Sequence, residues 1–237
     1  MRDAEHADLT RLAKYAGWSL LATIAIGILT SIFVTHGIDI NLSADVEGTA
    51  RNMLDAELRL RAKAYLATLV FALEAVFGIS LFLLLRRHGR LLAPWSLLLS
   101  IAGAVLVLTG AVFTMNAAQI ASDPAYNSLT SDVQKLMLTG LQATSNYTSF
   151  HLGLVVSTAA NAGFFYLFLK SRLMPTVISA WGLFASLFVV FTIIARDFIP
   201  ALGNNALTLA FMVSNLIALL STGFYLGVRG VRRVATT

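Results

Sequence analysis

The chain contains no cysteine. Disulfides, thiol nucleophiles and thiolate metal sites are therefore excluded. Charge is also scarce: Asp, Glu, Lys and Arg make up 12% of the 237 residues, where a soluble domain carries about a quarter. No Walker loop, Rossmann glycine pattern or His-Glu-x-x-His motif is present, so nucleotide and zinc-hydrolase chemistry have no sequence support. No cofactor is called for.

The charge deficit comes from six apolar blocks, Tyr15–Val34, Tyr65–Leu85, Leu91–Met115, Phe150–Leu169, Thr176–Ala195 and Ala206–Val228. Each is about as long as the roughly 20 residues a membrane helix needs. Barrel strands would alternate over about 10 residues, whereas these runs are continuous. The expected fold is all-α: a single six-helix polytopic membrane domain over residues 1–237. The first block is too long for a signal-peptide core and no small-x-small cleavage site follows Phe33-Val34-Thr35-His36, so it reads as a retained helix.

Six spans place both termini on one side. That side collects Arg2, Arg11, Lys14, Arg86, Arg87, Arg90, Lys170, Arg172, Arg229, Arg232 and Arg233, 11 of the 17 basic residues. The positive-inside rule makes it the cytoplasmic side. Trp18, Trp95 and Trp181 fall near the same ends of their spans, where indole rings favour the interface. The net charge of +5 is thus a topology signal. It predicts lipid neighbours and no nucleic acid. The oligomeric state is left open.

The inner loops are too short for a catalytic domain. The long loops, 36–64 and 116–149, face outward. In the first, Glu47–Arg51, Asp55–Arg59 and Glu57–Arg61 are acid-before-base pairs at i,i+4. Met53, Leu54, Leu58 and Ala62 form an apolar stripe beside them. A helix is expected from about Val46, running into the second span, as a lid, a partner surface or a solvated extension. In the second loop Ser122-Asp123-Pro124 signals a turn. Ser131-Asp132-Val133-Gln134 has the form of a capping box opening a short helix. Val133, Leu136, Met137 and Leu141 are expected to lie on the outer leaflet or to cap the bundle.

One residue conflicts with the apolar pattern. Glu74 lies one position from the midpoint of the second span. Acidic residues at the bilayer centre cost about 2.5–3.5 kcal/mol and should face the bundle interior or a water-filled cavity, with partners. Asn161 and Asn215 lie about two residues from the centres of the fourth and sixth spans, which run in the same direction as the second. All three are thus expected at one level. A neutral Glu74 carboxyl would donate one hydrogen bond to an amide and accept another. Thr208, Asn215 and Thr222 share a helical face, as do His151, Thr158 and Asn161, and Phe71, Phe77 and Gly78 flank Glu74. The expectation is an aromatic-walled pocket with a polar floor, open outward. Its candidate acid is Glu74 and its candidate ligand contacts are Asn161, Asn215, Thr158, Phe71, Phe77, His151, Asn116, Arg196 and Asp197. A polar rim adds His36, Gln119, Asn146, Tyr147, Asn204 and Asn205. His36, His151 and Asp197 lack any recognised metal spacing. Gly223 and Gly227 form a small-xxx-small pair, read as close helix packing rather than a dimer seam.

Two stretches carry a family resemblance. One is Leu81-Phe-Leu-Leu-Leu-Arg-Arg-His-Gly-Arg-Leu-Leu-Ala-Pro-Trp95; the other is Leu169-Lys-Ser-Arg-Leu-Met-Pro-Thr-Val-Ile-Ser-Ala-Trp-Gly182. Over roughly residues 10 to 230 the chain resembles domain-of-unknown-function family 4386, small six-helix bacterial membrane proteins. The resemblance implies that fold and a bacterial cytoplasmic (inner) membrane location, and carries no activity. Three functions stay open. One is binding of, or acid catalysis on, a lipophilic (isoprenoid-like or lipid) ligand at Glu74. The second is a proton-coupled carrier of a small or cationic compound. The third is a non-catalytic accessory or sensor subunit.

Overall fold

A computed structural model describes residues 2–40 and 45–232. Arg233, one of the basic residues counted above, lies outside them. The described residues are helical with no strands. The helices are α1 (Arg2–Phe33), α2 (Val46–Leu54), α3 (Glu57–Leu85), α4 (Leu92–Ser122), α5 (Pro124–Leu129), α6 (Asp132–Ser171), α7 (Thr176–Phe198) and α8 (Asn205–Phe224). A π-turn, Tyr225–Arg229, follows α8. Six helices are long and apolar enough to cross a membrane: α1, α3, α4, α6, α7, and α8 with its π-turn.

Polar side chains start the helices where local sequence provides them. The Asp45 carboxylate accepts from the Gly48 amide at 2.9 Å and opens α2. The Asp123 carboxylate caps Ala125 at 2.8 Å, with Pro124 in the first turn of α5. Asn204 caps Leu207 at 2.8 Å and opens α8. Ser131 and Gln134 form the reciprocal capping box: the Ser131 amide donates to Gln134 Oε1 at 2.9 Å, and the Gln134 amide to Ser131 Oγ at 3.4 Å. The helix it opens is not short. It continues for 40 residues as α6, with no proline to interrupt it. Val133, Met137 and Leu141 on α6 are exposed, so they do not cap a bundle.

The helix expected from Val46 into the second span is broken. α2 ends at Leu54, and α3 begins at Glu57 after Asp55 and Ala56. The Glu47–Arg51 and Glu57–Arg61 pairs form at 2.7 and 2.9 Å. Arg59 does not pair with Asp55. Its Nε donates to the Val34 carbonyl at 2.8 Å, and its Nη2 to the His36 carbonyl. These carbonyls follow the end of α1, where backbone acceptors lack helical donors. The break also shifts the helical phase. Met53, Ala56 and Leu60 become the buried set, and Leu58 is 80% exposed.

The chain divides into two compact units. One comprises residues 1–23, 73–104 and 154–237; the other comprises 24–72 and 105–153. In the first, small residues set the helix contacts. Gly17 of α1 packs against Gly223 of α8 and Gly227. The glycine pair therefore lies in a seam within the chain, with backbones in close approach. Gly182 of α7 lies under the Phe165 ring of α6, Gly163 of α6 against Ser96 of α4, and Gly78 of α3 against Ser100 of α4. Val189, Ile193 and Phe211 join α7 to α8. Trp18, Trp95 and Trp181 are each more than two-fifths exposed, and the Trp181 indole donates to the Ser214 carbonyl at 3.2 Å. The second unit has its own core of Ile38, Met53, Ala56, Leu60, Ala117, Ala118 and Ala143.

Candidate functional site

Glu74 belongs to the first unit. On α3 the buried residues Phe77, Gly78, Leu81 and Leu85 lie three, four, seven and eleven positions after it. Residues at these spacings share one helical face. Glu74 is half-buried at the head of this inward stripe. The stripe packs on α4 through Gly78 and Ser100. Among the described residues no hydrogen bond or ion pair engages the Glu74 carboxyl. The sequence alone places Asn161 and Asn215 beside it as partners, and neither is bonded to it.

Asn161 is half-buried on α6. Asn215 is half-buried on α8, and its Oδ1 is enclosed with no donor among the described residues. Ser214 Oγ and Thr222 Oγ1 on α8, and Ser186 Oγ on α7, are likewise enclosed without a partner. Unpaired buried polar atoms are rare in folded proteins and call for an explanation. Thr158 is buried, but its hydroxyl is spent on its own helix, donating to the Leu154 carbonyl at 2.6 Å. Phe77 is buried. At the end of α7 Arg196 is half-buried and Asp197 exposed. A cation in a helix's last turn is favoured by the dipole, which accounts for Arg196 without a ligand.

Phe71, His151 and Asn116 belong to the second unit. Phe71 is half-buried. The His151 ring stacks obliquely on Tyr147, centroids 4.1 Å apart, and meets the edge of Phe150 at 6.3 Å. Asn116 Nδ2 donates to Gln142 Oε1 at 3.4 Å. The strongest polar feature of this unit escapes the sequence reading. Lys63 Nζ pairs with Asp39 Oδ2 at 3.3 Å, both side chains about 15% exposed. With the Asn146 amide oriented to satisfy its neighbours, its oxygen accepts from Lys63 Nζ at 3.2 Å. Its nitrogen then donates to the Gly110 carbonyl at 3.1 Å. Lys63 and Asp39 lie 24 residues apart, so no local spacing signals the pair.

The sequence profile of a domain of unknown function, DUF4386, matches residues 15–230. The chain belongs to the DUF4386 family. No protein of curated function and no solved structure matches it. Family membership in DUF4386 thus adds no catalytic residue to the geometry.

In this DUF4386 chain the α3–α4 hairpin is a second polar feature. His88 sits there with its Nδ1 enclosed and without a hydrogen-bond partner among the described residues. Burial, then the charges of Lys170 and Arg87, hold its pKa below the usual histidine value. The cations of two hairpins therefore act on one imidazole.

Proposed function

We propose that the protein binds a lipophilic ligand within the membrane, with Glu74 as the group that recognises the ligand's polar or cationic head. One observation carries this reading: a half-buried carboxyl on the inward face of a spanning helix, with no hydrogen-bond partner among the described residues. A carboxyl so placed is costly, and a glutamine would hold helices together at lower cost. The enclosed Asn215 oxygen and the Ser186, Ser214 and Thr222 hydroxyls support the reading as acceptors that lack a donor. Phe77 supplies an aromatic surface three residues from Glu74, suited to an apolar or cationic group.

Binding is favoured over catalysis. Glu74 is the single Asp, Glu, Lys or Arg within the six apolar runs, so acid chemistry there has no second carboxylate as its base, and the one histidine of those runs, His151, belongs to the other unit. The same lone carboxyl suits proton-coupled exchange, which liposome measurements of substrate-driven proton movement would separate from simple binding. In this reading the protein sits in a bacterial inner membrane with both termini cytoplasmic, supported by the excess of basic residues on that side.

The test is extraction of the protein from its native membrane followed by mass spectrometry of retained small molecules. The wild type is expected to retain an apolar compound that Glu74→Gln loses, with Glu74→Asp intermediate. Both variants should remain monodisperse. Equal retention by Glu74→Gln would remove the carboxyl from any binding role.

A further inference from the structure

The hydroxyls of α4 divide into two groups. Thr109, Thr114 and Ser122 donate to carbonyls four residues back on their own helix. Ser96 and Ser100 do not. Ser96 is fully buried, and its Oγ is enclosed without a partner among the described residues. Ser100 is buried and makes no hydrogen bond among the described residues. A buried hydroxyl that forgoes its own backbone needs another partner. Each of the two meets a glycine on a neighbouring helix. Ser100 Oγ lies 3.0 Å from where a Cβ on Gly78 of α3 would stand, and Ser96 Oγ lies against Gly163 of α6.

These contacts line up with two further groups. Glu74 lies four residues before Gly78 on α3, one turn or about 6 Å of helix rise. Ser100 and Ser96 are one turn apart on α4. Gly163 and Leu167 are one turn apart on α6, and Leu167 packs on Gly89, beside His88. The imidazole is half-buried, with its Nδ1 enclosed. The order Glu74, Ser100, Ser96, His88 therefore runs from the middle of α3 to the α3–α4 hairpin in steps of about one helical turn. All four residues belong to the first unit. A water held by two hydrogen bonds of about 2.8 Å spans about 5.6 Å, so one bridging water matches each step. Burial, then Lys170 and Arg87, keep the His88 pKa below the usual histidine value. A neutral ring has one donor and one acceptor nitrogen, the pair that a relay needs.

We propose that Ser100, Ser96 and His88 form a proton route between Glu74 and the water at the α3–α4 hairpin. A proton that departs from the Glu74 carboxyl leaves a carboxylate. Each hydroxyl or bridging water takes one proton and releases another, and so ends unchanged. His88 accepts a proton on one ring nitrogen and releases one from the other to bulk water. The reverse sequence reloads the carboxyl. Ionisable groups inside membrane helices commonly mark proton relays of this kind. The route goes beyond ligand binding and does not depend on it. It sets how fast Glu74 changes its protonation, whatever the carboxyl recognises.

The experiment follows the Glu74 carboxyl stretch by infrared spectroscopy of the full chain in lipid, at a pH where the protonated band is present. The band is assigned by its loss in Glu74→Gln. Transfer from light to heavy water shifts it at the rate of proton exchange. Losing one buried hydrogen-bond link costs on the order of tenfold in rate, so Ser96→Ala with Ser100→Ala should slow exchange roughly 100-fold relative to the wild type. Alanine is the better helix former, so slow exchange at a wild-type melting temperature separates a broken route from a broken fold. His88→Gln should also exchange slowly, and millimolar imidazole should restore its rate, which a purely structural histidine would not allow. Thr109→Val removes a hydroxyl spent on its own helix and should exchange like the wild type. Wild-type rates in the double serine variant or in His88→Gln overturn the route. So do equal slowing by Thr109→Val and a wild-type carboxyl that does not exchange. No ligand is added, so this outcome is separate from the retention test of Glu74→Gln.

Discussion

Replacing Gly17 with alanine tests the seam between α1 and the end of α8. A Cβ at position 17 would lie 2.6 Å from Gly227 Cα and 2.7 Å from the Gly223 carbonyl oxygen. The Gly227 nitrogen lies nearer still. Ordinary heavy-atom contacts lie near 3.5 Å, so the two backbones must separate by more than roughly 1 Å. All three neighbours are backbone atoms, and no side-chain rotation relieves the clash. Overpacking of this kind costs about 1–3 kcal/mol, and the lack of a relief route argues for the upper end. Alanine returns up to about 1 kcal/mol of helix propensity over glycine. The net loss expected is about 2 kcal/mol, a fall in Tm of roughly 4–8 °C for a chain of this length. Gly27, ten positions along the same helix, supplies the control. A Cβ there meets nothing within 4 Å. Gly27→Ala should therefore match or exceed the wild type. Thermal unfolding of both variants in one detergent, followed by fluorescence or light scattering, makes the comparison. If Gly17→Ala melts with or above Gly27→Ala, the backbone contact is not a stabilising seam and the reasoning fails.

Other outcomes follow from the same coordinates. Lys63→Met leaves Asp39 without its nearby cation in a site about 15% exposed; a loss of about 2 kcal/mol is expected, below the value for fully buried pairs. Adding Asp39→Asn should recover part of it in a denaturation series. Arg172 adopts φ 54° after α6, a left-handed conformation costing a non-glycine residue about 1–2 kcal/mol, so Arg172→Gly should raise the melting temperature by a few degrees if the turn keeps its shape. The pKa of His88 is lowered on folding, so the folded state binds fewer protons than the unfolded one. Stability should fall as pH drops through the ordinary value of 6.5, level off below the folded-state pKa, and lose this dependence in His88→Gln.

The spans were legible because continuous apolar length is a one-dimensional signal. The capping box at Ser131 and Gln134 was equally readable, since its partners are three residues apart. The inward position of Glu74 also follows from helical spacing to Phe77, Gly78 and Leu81. What the sequence does not encode locally is rotation about each helix axis, so level placement of Asn161 and Asn215 with Glu74 says nothing about whether they bond. The α2–α3 break goes with Arg59 reaching carbonyls 23 and 25 residues earlier instead of Asp55. The Asp39–Lys63 pair is similarly distant in sequence.

The contacts beside the α2–α3 break hold the chain that follows α1. Residues 34–39 are held from three points on the following helices: Arg59 on Val34 and His36, Asn52 on the Gly37 carbonyl at 2.8 Å, and Lys63 on Asp39. The chain before residue 41 is thus fastened to the helices that follow residue 44 by side chains, whatever the covalent path between. Removing one fastening, as in Asn52→Ala, should therefore leave residues 34–39 held by the other two.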